Sequence, residues 1–167
     1  SEAKGDWIKA ESAAGVREIE VGSFVPPKIL PQLADTAEIV SFANSIPNLQ
    51  VAALVPNFKG AENAINAGVD KITLPLSISE SHSIANLRKT HQQVFEEIDK
   101  IVNLIISLPK DKRPHFEGSL STAFGCTIEG KVEQKKVVRI AEKLIKMGCD
   151  EVGLADTTGY ANPYQIK

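Results

Sequence analysis

Two carboxylates and a set of hydroxyl and amide side chains stand directly after short apolar runs in this sequence. Glu20 and Ser23 follow the first run, Asn57 the second, Ser77 the third, Ser121 and Thr122 the fourth, and Asp156 and Thr157 the fifth. In parallel α/β folds the chemistry collects at such places, because loops and helix N-termini converge beyond the strand ends. Glu20 stands inside Ile19-Glu20-Val21, where an ionisable group is costly without a partner. It either pairs with a neighbouring Lys or Arg or takes part in chemistry. Asp156-Thr157-Thr158-Gly159 carries an equally good structural reading, a turn or helix N-cap in which Asp and Thr accept backbone N–H groups.

Other reactive types carry weaker signals. Gly125-Cys126-Thr127-Ile128-Glu129-Gly130 lacks both the dinucleotide fingerprint and the Lys-Ser/Thr ending of a phosphate loop. Cys126 has no local Lys or His to favour its thiolate, so an inert small hydrophobe is the better reading, and Cys149 reads as core. His82, His91 and His115 show no metal-ligand spacing, and there is no Cys-x-x-Cys. Lys28, Lys59 and Arg88 lie after strand ends, where a lysine or arginine can meet phosphate but more often only solvates.

The elements that must hold these groups announce themselves by repetition. Ala14-Gly15-Val16-Arg17-Glu18-Ile19, Ala67-Gly68-Val69-Asp70-Lys71-Ile72 and Met147-Gly148-Cys149-Asp150-Glu151-Val152 share one pattern. Each predicts a helix closed by a left-handed Gly and followed at once by a strand. Helical patterns precede the three glycines over residues ~5–14, ~58–67 and ~132–147, the last with Val137, Ala141, Leu144 and Ile145 on one face. Residues 49–56 and 115–121 add two strands. A long helix is expected from Thr90 to about Leu108: Thr90 and Gln93 fit a capping box, and Val94, Ile98, Ile101 and Ile105 keep a helical spacing. Strands alternating with helices require a parallel sheet, either doubly wound or part of a (β/α)₈ barrel. The barrel takes roughly 250 residues and eight strands, against the five read here, and both ends read as interrupted repeats.

Composition bounds the function. The chain has 167 residues, 43% apolar and 24% charged, with 19 basic against 21 acidic side chains for a net charge of −2. This is the profile of a foldable globular domain able to bury about 70% of its unfolded surface. Nothing in it attracts nucleic acid or anionic lipid. No apolar run reaches the ~18 residues of a membrane span. Two cysteines without a leader segment point to a reducing, cytoplasmic home.

Taken in order, Glu20-Val21-Gly22-Ser23-Phe24-Val25-Pro26-Pro27-Lys28, Pro56-Asn57-Phe58-Lys59-Gly60, Phe124 to Gly130 and Asp156-Thr157-Thr158-Gly159 resemble the 3-hydroxy-3-methylglutaryl-CoA lyase family, of the metallolyase branch of TIM barrels. The resemblance selects a partial (β/α)₈ TIM barrel, with residues 1–167 as a central portion truncated at both ends and equivalent to the second to sixth strands. It implies catalytic roles for Glu20 and Asp156, substrate binding by Ser23, Asn57 and Thr157, and an acyl-CoA substrate cleaved to acetyl-CoA and acetoacetate or a related keto acid. It also implies a divalent metal, Mg²⁺ or Mn²⁺, whose ligands lie outside this chain, so that the segment alone is expected to be inactive. A homo-oligomer is expected of the full-length protein. One departure stands out: Gly153-Leu154-Ala155 replaces the Ser-Leu-Gly that commonly precedes the family's Asp-Thr, removing a substrate-facing hydroxyl, and a lost hydrogen bond shifts specificity. Two other readings remain open, an aldolase or synthase of the same branch that condenses acetyl-CoA with a keto acid, and a non-catalytic α/β binding module.

Overall fold

A computed structural model describes residues 2–166. Seven helices occur among them, α1 (Glu2–Ala13), α2 (Thr36–Ala43), α3 (Phe58–Ala67), α4 (Glu80–Leu87), α5 (His91–Ser107), α6 (Gln134–Met147) and α7 (Pro163–Ile166). The strands are β1 (Glu18–Ser23), β2 (Gln50–Leu54), β3 (Lys71–Ser77), β4 (His115–Ser121) and β5 (Glu151–Leu154). The repeated glycines do what their lack of a Cβ permits: Gly15, Gly68 and Gly148 adopt φ of 103°, 81° and 108°, a region other residues enter only under strain. At the start of α5, Gln93 N–H donates to Thr90 Oγ1 (3.3 Å) and Gln93 Oε1 accepts from Thr90 N–H (2.9 Å), the expected capping box.

Two helices have no counterpart in the sequence reading. On α2, Thr36, Ile39, Val40 and Ala43 are buried at helical spacing, but the helix is short and Asp35 makes no capping hydrogen bond. On α4 only Ser83 is buried, so no apolar stripe marks it. The buried face of α6 also differs from expectation, being Val137, Ile140 and Leu144, while Ile145 is half-exposed.

The five strands are hydrogen-bonded in chain order, β1-β2-β3-β4-β5, and the registered pairs β1–β2, β2–β3 and β4–β5 are parallel. A doubly wound sheet reverses its strand order at a switch point. No reversal occurs here, so the order is that of a continuous run of barrel-type βα units.

The chain divides into two compact units, one holding residues up to Thr73 together with Ile105–Phe116, the other Leu74–Leu104 and Glu117 onward. In the first, Val40, Ala43, Val51, Ala53, Val55, Ala61, Ala64 and Ile72 are wholly buried. Lys71 is buried as well, its ammonium 3.1 Å from Glu18 Oε1, the ion pair such a burial requires. The second unit packs Leu74, Leu76, Ile78, Ile98, Ile101, Leu120 and Leu144. Leu154 on β5 is 54% exposed. No helix among the described residues is long and apolar enough to cross a membrane.

Candidate functional site

In the first unit the local geometry is set by an irregularity in β1. Glu20 is paired with Ala52 but Ser23 with Leu54, so three steps on β1 match two on β2. Side chains alternate strictly along a regular strand, and Glu20 and Ser23 would then face opposite ways. The bulge restores them to one face. Gly22 stands within it because a Cβ there would lie 2.8 Å from Thr36 Oγ1. That buried hydroxyl is shared between the carbonyls of Leu33 (2.7 Å) and Ser23 (3.1 Å) and pins the strand end. Glu20 itself is exposed. The cost of burying an ionisable group within Ile19-Glu20-Val21 therefore does not arise among the described residues, because alternation turns Ile19 and Val21 inward and Glu20 out.

Beyond the bulge opens a cleft of about 620 Å³ whose walls include Ser23, Phe24, Pro27, Asn57, Lys59 and Gly60. The structure thus brings Ser23 and Asn57 to one cavity. Asn57 caps α3, its Oδ1 accepting from Gly60 N–H at 2.9 Å, which fixes the side chain and leaves its amide N–H₂ for a ligand. Gly60 is required at the floor, since a Cβ would meet the Phe24 carbonyl at 3.1 Å and Pro56 Cδ at 2.9 Å. Lys59 reaches Glu62 at 3.2 Å and is largely exposed.

In the second unit the ends of β3, β4 and β5 are stitched together by hydroxyls. Ser79, the N-cap of α4, accepts from His82 N–H (3.2 Å) and donates its own N–H to Thr122 Oγ1 (3.2 Å). Thr122 N–H donates in turn to Thr157 Oγ1 (2.8 Å). Thr122 is fully buried with φ of 56°, an uncommon conformation for a β-branched residue. Nothing in the sequence marks Thr122 or Ser79 as the link. Asp156 is exposed, and its two oxygens accept from Tyr160 N–H and Ala161 N–H, both at 2.9 Å, so the carboxylate has the turn-capping geometry and a fixed orientation. The Thr158 hydroxyl donates to the Gly125 carbonyl at 2.9 Å.

Cys126 is buried, and its Sγ accepts from the backbone N–H of Ile128 (3.3 Å) and Glu129 (3.5 Å). Burial works to raise its thiol pKa, but the Ser79 hydrogen bond and these two N–H groups outweigh it and hold the thiol below its ordinary value. Glu129 lies low because Ser81 N–H donates to it at 2.8 Å. Cys149 is core, as expected, and burial followed by the Asp150 charge pushes its thiol up to about 12.

Gly153 acquires a local explanation. It is paired with Ser119 on β4, and a Cβ added to it would collide with the Glu117 carboxylate. That carboxylate is the mobile end of a half-buried side chain, so a larger residue at 153 would displace it. Among the described residues no three His, Cys, Asp or Glu side chains come together to hold a metal ion. The residues present therefore do not fit the cation that the motif resemblance implies.

The HMGL-like family model matches residues 1–167. The chain is 34% identical over 167 residues to a hydroxymethylglutaryl-CoA lyase of Bacillus subtilis, covering 100% of this chain and 54% of that protein. It is 35% identical over 156 residues to the mitochondrial hydroxymethylglutaryl-CoA lyase of Rattus norvegicus, covering 93% and 47%. Among solved structures, an HMG-CoA lyase from Acinetobacter baumannii in complex with coenzyme A and 3-methylmalate matches with a TM-score of 0.89 at 37% identity, covering 98% of this chain and 52% of that one. The chain spans about half the length of these relatives, and its five parallel strands with flanking helices correspond to part of a TIM barrel. With the family model matched along residues 1–167, the chain belongs to the HMGL-like family.

Proposed function

We propose that the intact protein is a carbon–carbon lyase that cleaves a 3-hydroxyacyl-CoA of the 3-hydroxy-3-methylglutaryl kind to acetyl-CoA and a keto acid, acetoacetate in the parent case. The observation that carries this reading is continuous similarity to lyases along the whole chain, at 34% to 37% identity, joined to a cleft in which Ser23 and Asn57 stand together. The structural relative's ligands, coenzyme A and 3-methylmalate, suit the same substrate class, a CoA thioester joined to a small hydroxy acid.

The chemistry asked of the protein is specific. A base takes the proton of the 3-hydroxyl, the C2–C3 bond breaks as the C–O bond becomes a carbonyl, and its electron pair passes into the thioester as an enolate. A proton then converts the enolate to acetyl-CoA. Glu20 and Asp156 serve the proton movements in this proposal. Asp156 is suited by the two backbone N–H groups that fix its orientation, since preorganised groups need not reorganise during reaction. Ser23 and Asn57 supply a hydroxyl and an amide N–H₂ to acyl-CoA oxygens, and Thr157 is held ready by Thr122. The divalent cation implied by the resemblance is assigned to ligands outside residues 1–167. A cytoplasmic home suits two buried, unpaired cysteines.

The synthase reading shares these residues and differs in direction. The intact protein, given 3-hydroxy-3-methylglutaryl-CoA and magnesium, is expected to release acetoacetate. Free coenzyme A formed only from acetyl-CoA plus a keto acid would favour the synthase, and no reaction in either direction with related 3-hydroxyacyl-CoA substrates would remove the proposal.

A further inference from the structure

A pair of imidazoles at the end of β3 has no part in the mechanism above. Ser77, the last residue of β3, is 1% exposed. Its Oγ lies 2.7 Å from His82 Nδ1 and its carbonyl oxygen 2.7 Å from His91 Nε2. These contacts assign the protons. A carbonyl only accepts, so His91 Nε2 carries a hydrogen. The buried Ser77 hydroxyl must donate, and His82 Nδ1 is its acceptor among the described residues, so His82 holds its proton on Nε2. That Nε2–H has no hydrogen-bond partner among the described residues, and the ring is partly exposed.

The ring is also well fixed. His82 sits in the first turn of α4, where its N–H is capped by Ser79. Ser79 is joined through Thr122 to Thr157, the residue already proposed to meet substrate. Glu80 Oε1 accepts from His91 N–H at 3.0 Å and closes the cluster from the other side. A donor whose tautomer is set by one buried hydroxyl, on a side chain locked at a strand end, is the arrangement that lets one hydrogen bond select a ligand.

We infer that His82, oriented by Ser77, is a specificity-determining residue that donates its Nε2–H to an oxygen of the substrate's acyl group beyond the thioester. The inference rests on the acyl-CoA reading and names which part of the substrate this residue reads. A single N–H donor suits one carboxylate, hydroxyl or carbonyl oxygen better than a diphosphate, which calls for several donors.

The test uses two ligands that share coenzyme A but differ in the acyl group, 3-hydroxy-3-methylglutaryl-CoA and acetyl-CoA, with dissociation constants measured by calorimetry on the intact protein stripped of divalent cations so that the first ligand is not cleaved. His82→Phe keeps the ring shape and removes the donor. It is expected to weaken the first ligand roughly tenfold to a hundredfold and leave acetyl-CoA unchanged. His82→Gln, which retains an N–H donor, is expected to recover most of the loss. Ser77→Ala, which frees the ring, should give an intermediate loss for the first ligand only. Equal weakening of both ligands, or none, overturns the inference while the lyase reading stands. Failure of the wild-type protein to bind either ligand overturns both.

Discussion

Leu144 and Gly118 form a knob and its hole, and removing either should expose how tightly α6 is seated on β4. Leu144 is wholly buried, and its Cδ1 lies 2.7 Å from where a Gly118 Cβ would stand, with Cys149 Sγ at 3.5 Å from the same point. Leu144→Ala deletes three carbon atoms, about 0.8 kcal/mol each in transfer. It also leaves a void that Gly118, having no side chain, cannot fill. The expected loss is therefore about 3–5 kcal/mol, toward the upper part of the range for such truncations. Gly118→Ala alone overpacks the same point and should cost about 1–3 kcal/mol. Together the new methyl occupies part of the space that Leu144 vacates, so the double variant should be more stable than the sum of the two losses predicts, by about 1 kcal/mol or more. Urea unfolding of the intact protein followed by circular dichroism, with an unchanged slope, measures all four corners of the cycle. Losses that add to within about 0.5 kcal/mol would refute the packing reasoning.

Asp156→Asn keeps one oxygen acceptor but sets an N–H₂ against a backbone N–H, so a stability loss of about 1–3 kcal/mol is expected. If the carboxylate serves proton transfer, turnover falls by orders of magnitude as well, and near wild-type initial rates would reduce Asp156 to a turn cap. Ser23→Ala should raise the substrate requirement by about 1–3 kcal/mol with little change in kcat, read from steady-state kinetics. A fall in kcat alone would remove Ser23 from binding. For Cys149, the folded thiol titrates near 12 against an ordinary 9.0. The folded state therefore holds its proton more tightly, and the stability this provides is complete below about pH 9 and is lost as pH rises toward 12. Stability measured across that window should fall less steeply in Cys149→Ala than in wild type, by on the order of 2–4 kcal/mol at the alkaline end, and identical slopes would contradict the assignment.

Much of the scaffold was legible because it rests on local physics. Gly15, Gly68 and Gly148 each close a helix by a conformation that few other residues tolerate, and α3 runs over the residues that the spacing predicts. Elements that owe their existence to neighbours were not legible, and α4, with one buried residue, is the clearest. The candidate site divides in the same way. Asn57 could be named because it follows the apolar run of β2 directly, where polar groups collect in parallel α/β folds; that it also caps α3 was not read from the sequence. The bulge that turns Ser23 to the face of Glu20 depends on pairing with β2, which no period along one strand reveals. The burial cost attached to Glu20 assumed apolar surroundings on both faces, and the structure supplies them on one. Thr122 and Ser79, separated by 43 positions, meet only because β3 and β4 end side by side. The glycine at 153, read as a lost hydroxyl, faces the Glu117 carboxylate across the β4–β5 pair, a neighbour that sequence spacing does not reveal.

The proposed lyase activity turns on which bond is broken. Intact protein incubated with 3-hydroxy-3-methylglutaryl-CoA labelled with carbon-13 at C2, and analysed by mass spectrometry, is predicted to carry the label wholly into acetyl-CoA, with one unlabelled acetoacetate formed per acetyl-CoA. Label retained in a full-length CoA ester, or in a free acid that keeps every carbon of the acyl chain, would show dehydration or thioester hydrolysis in place of carbon–carbon cleavage and would contradict it.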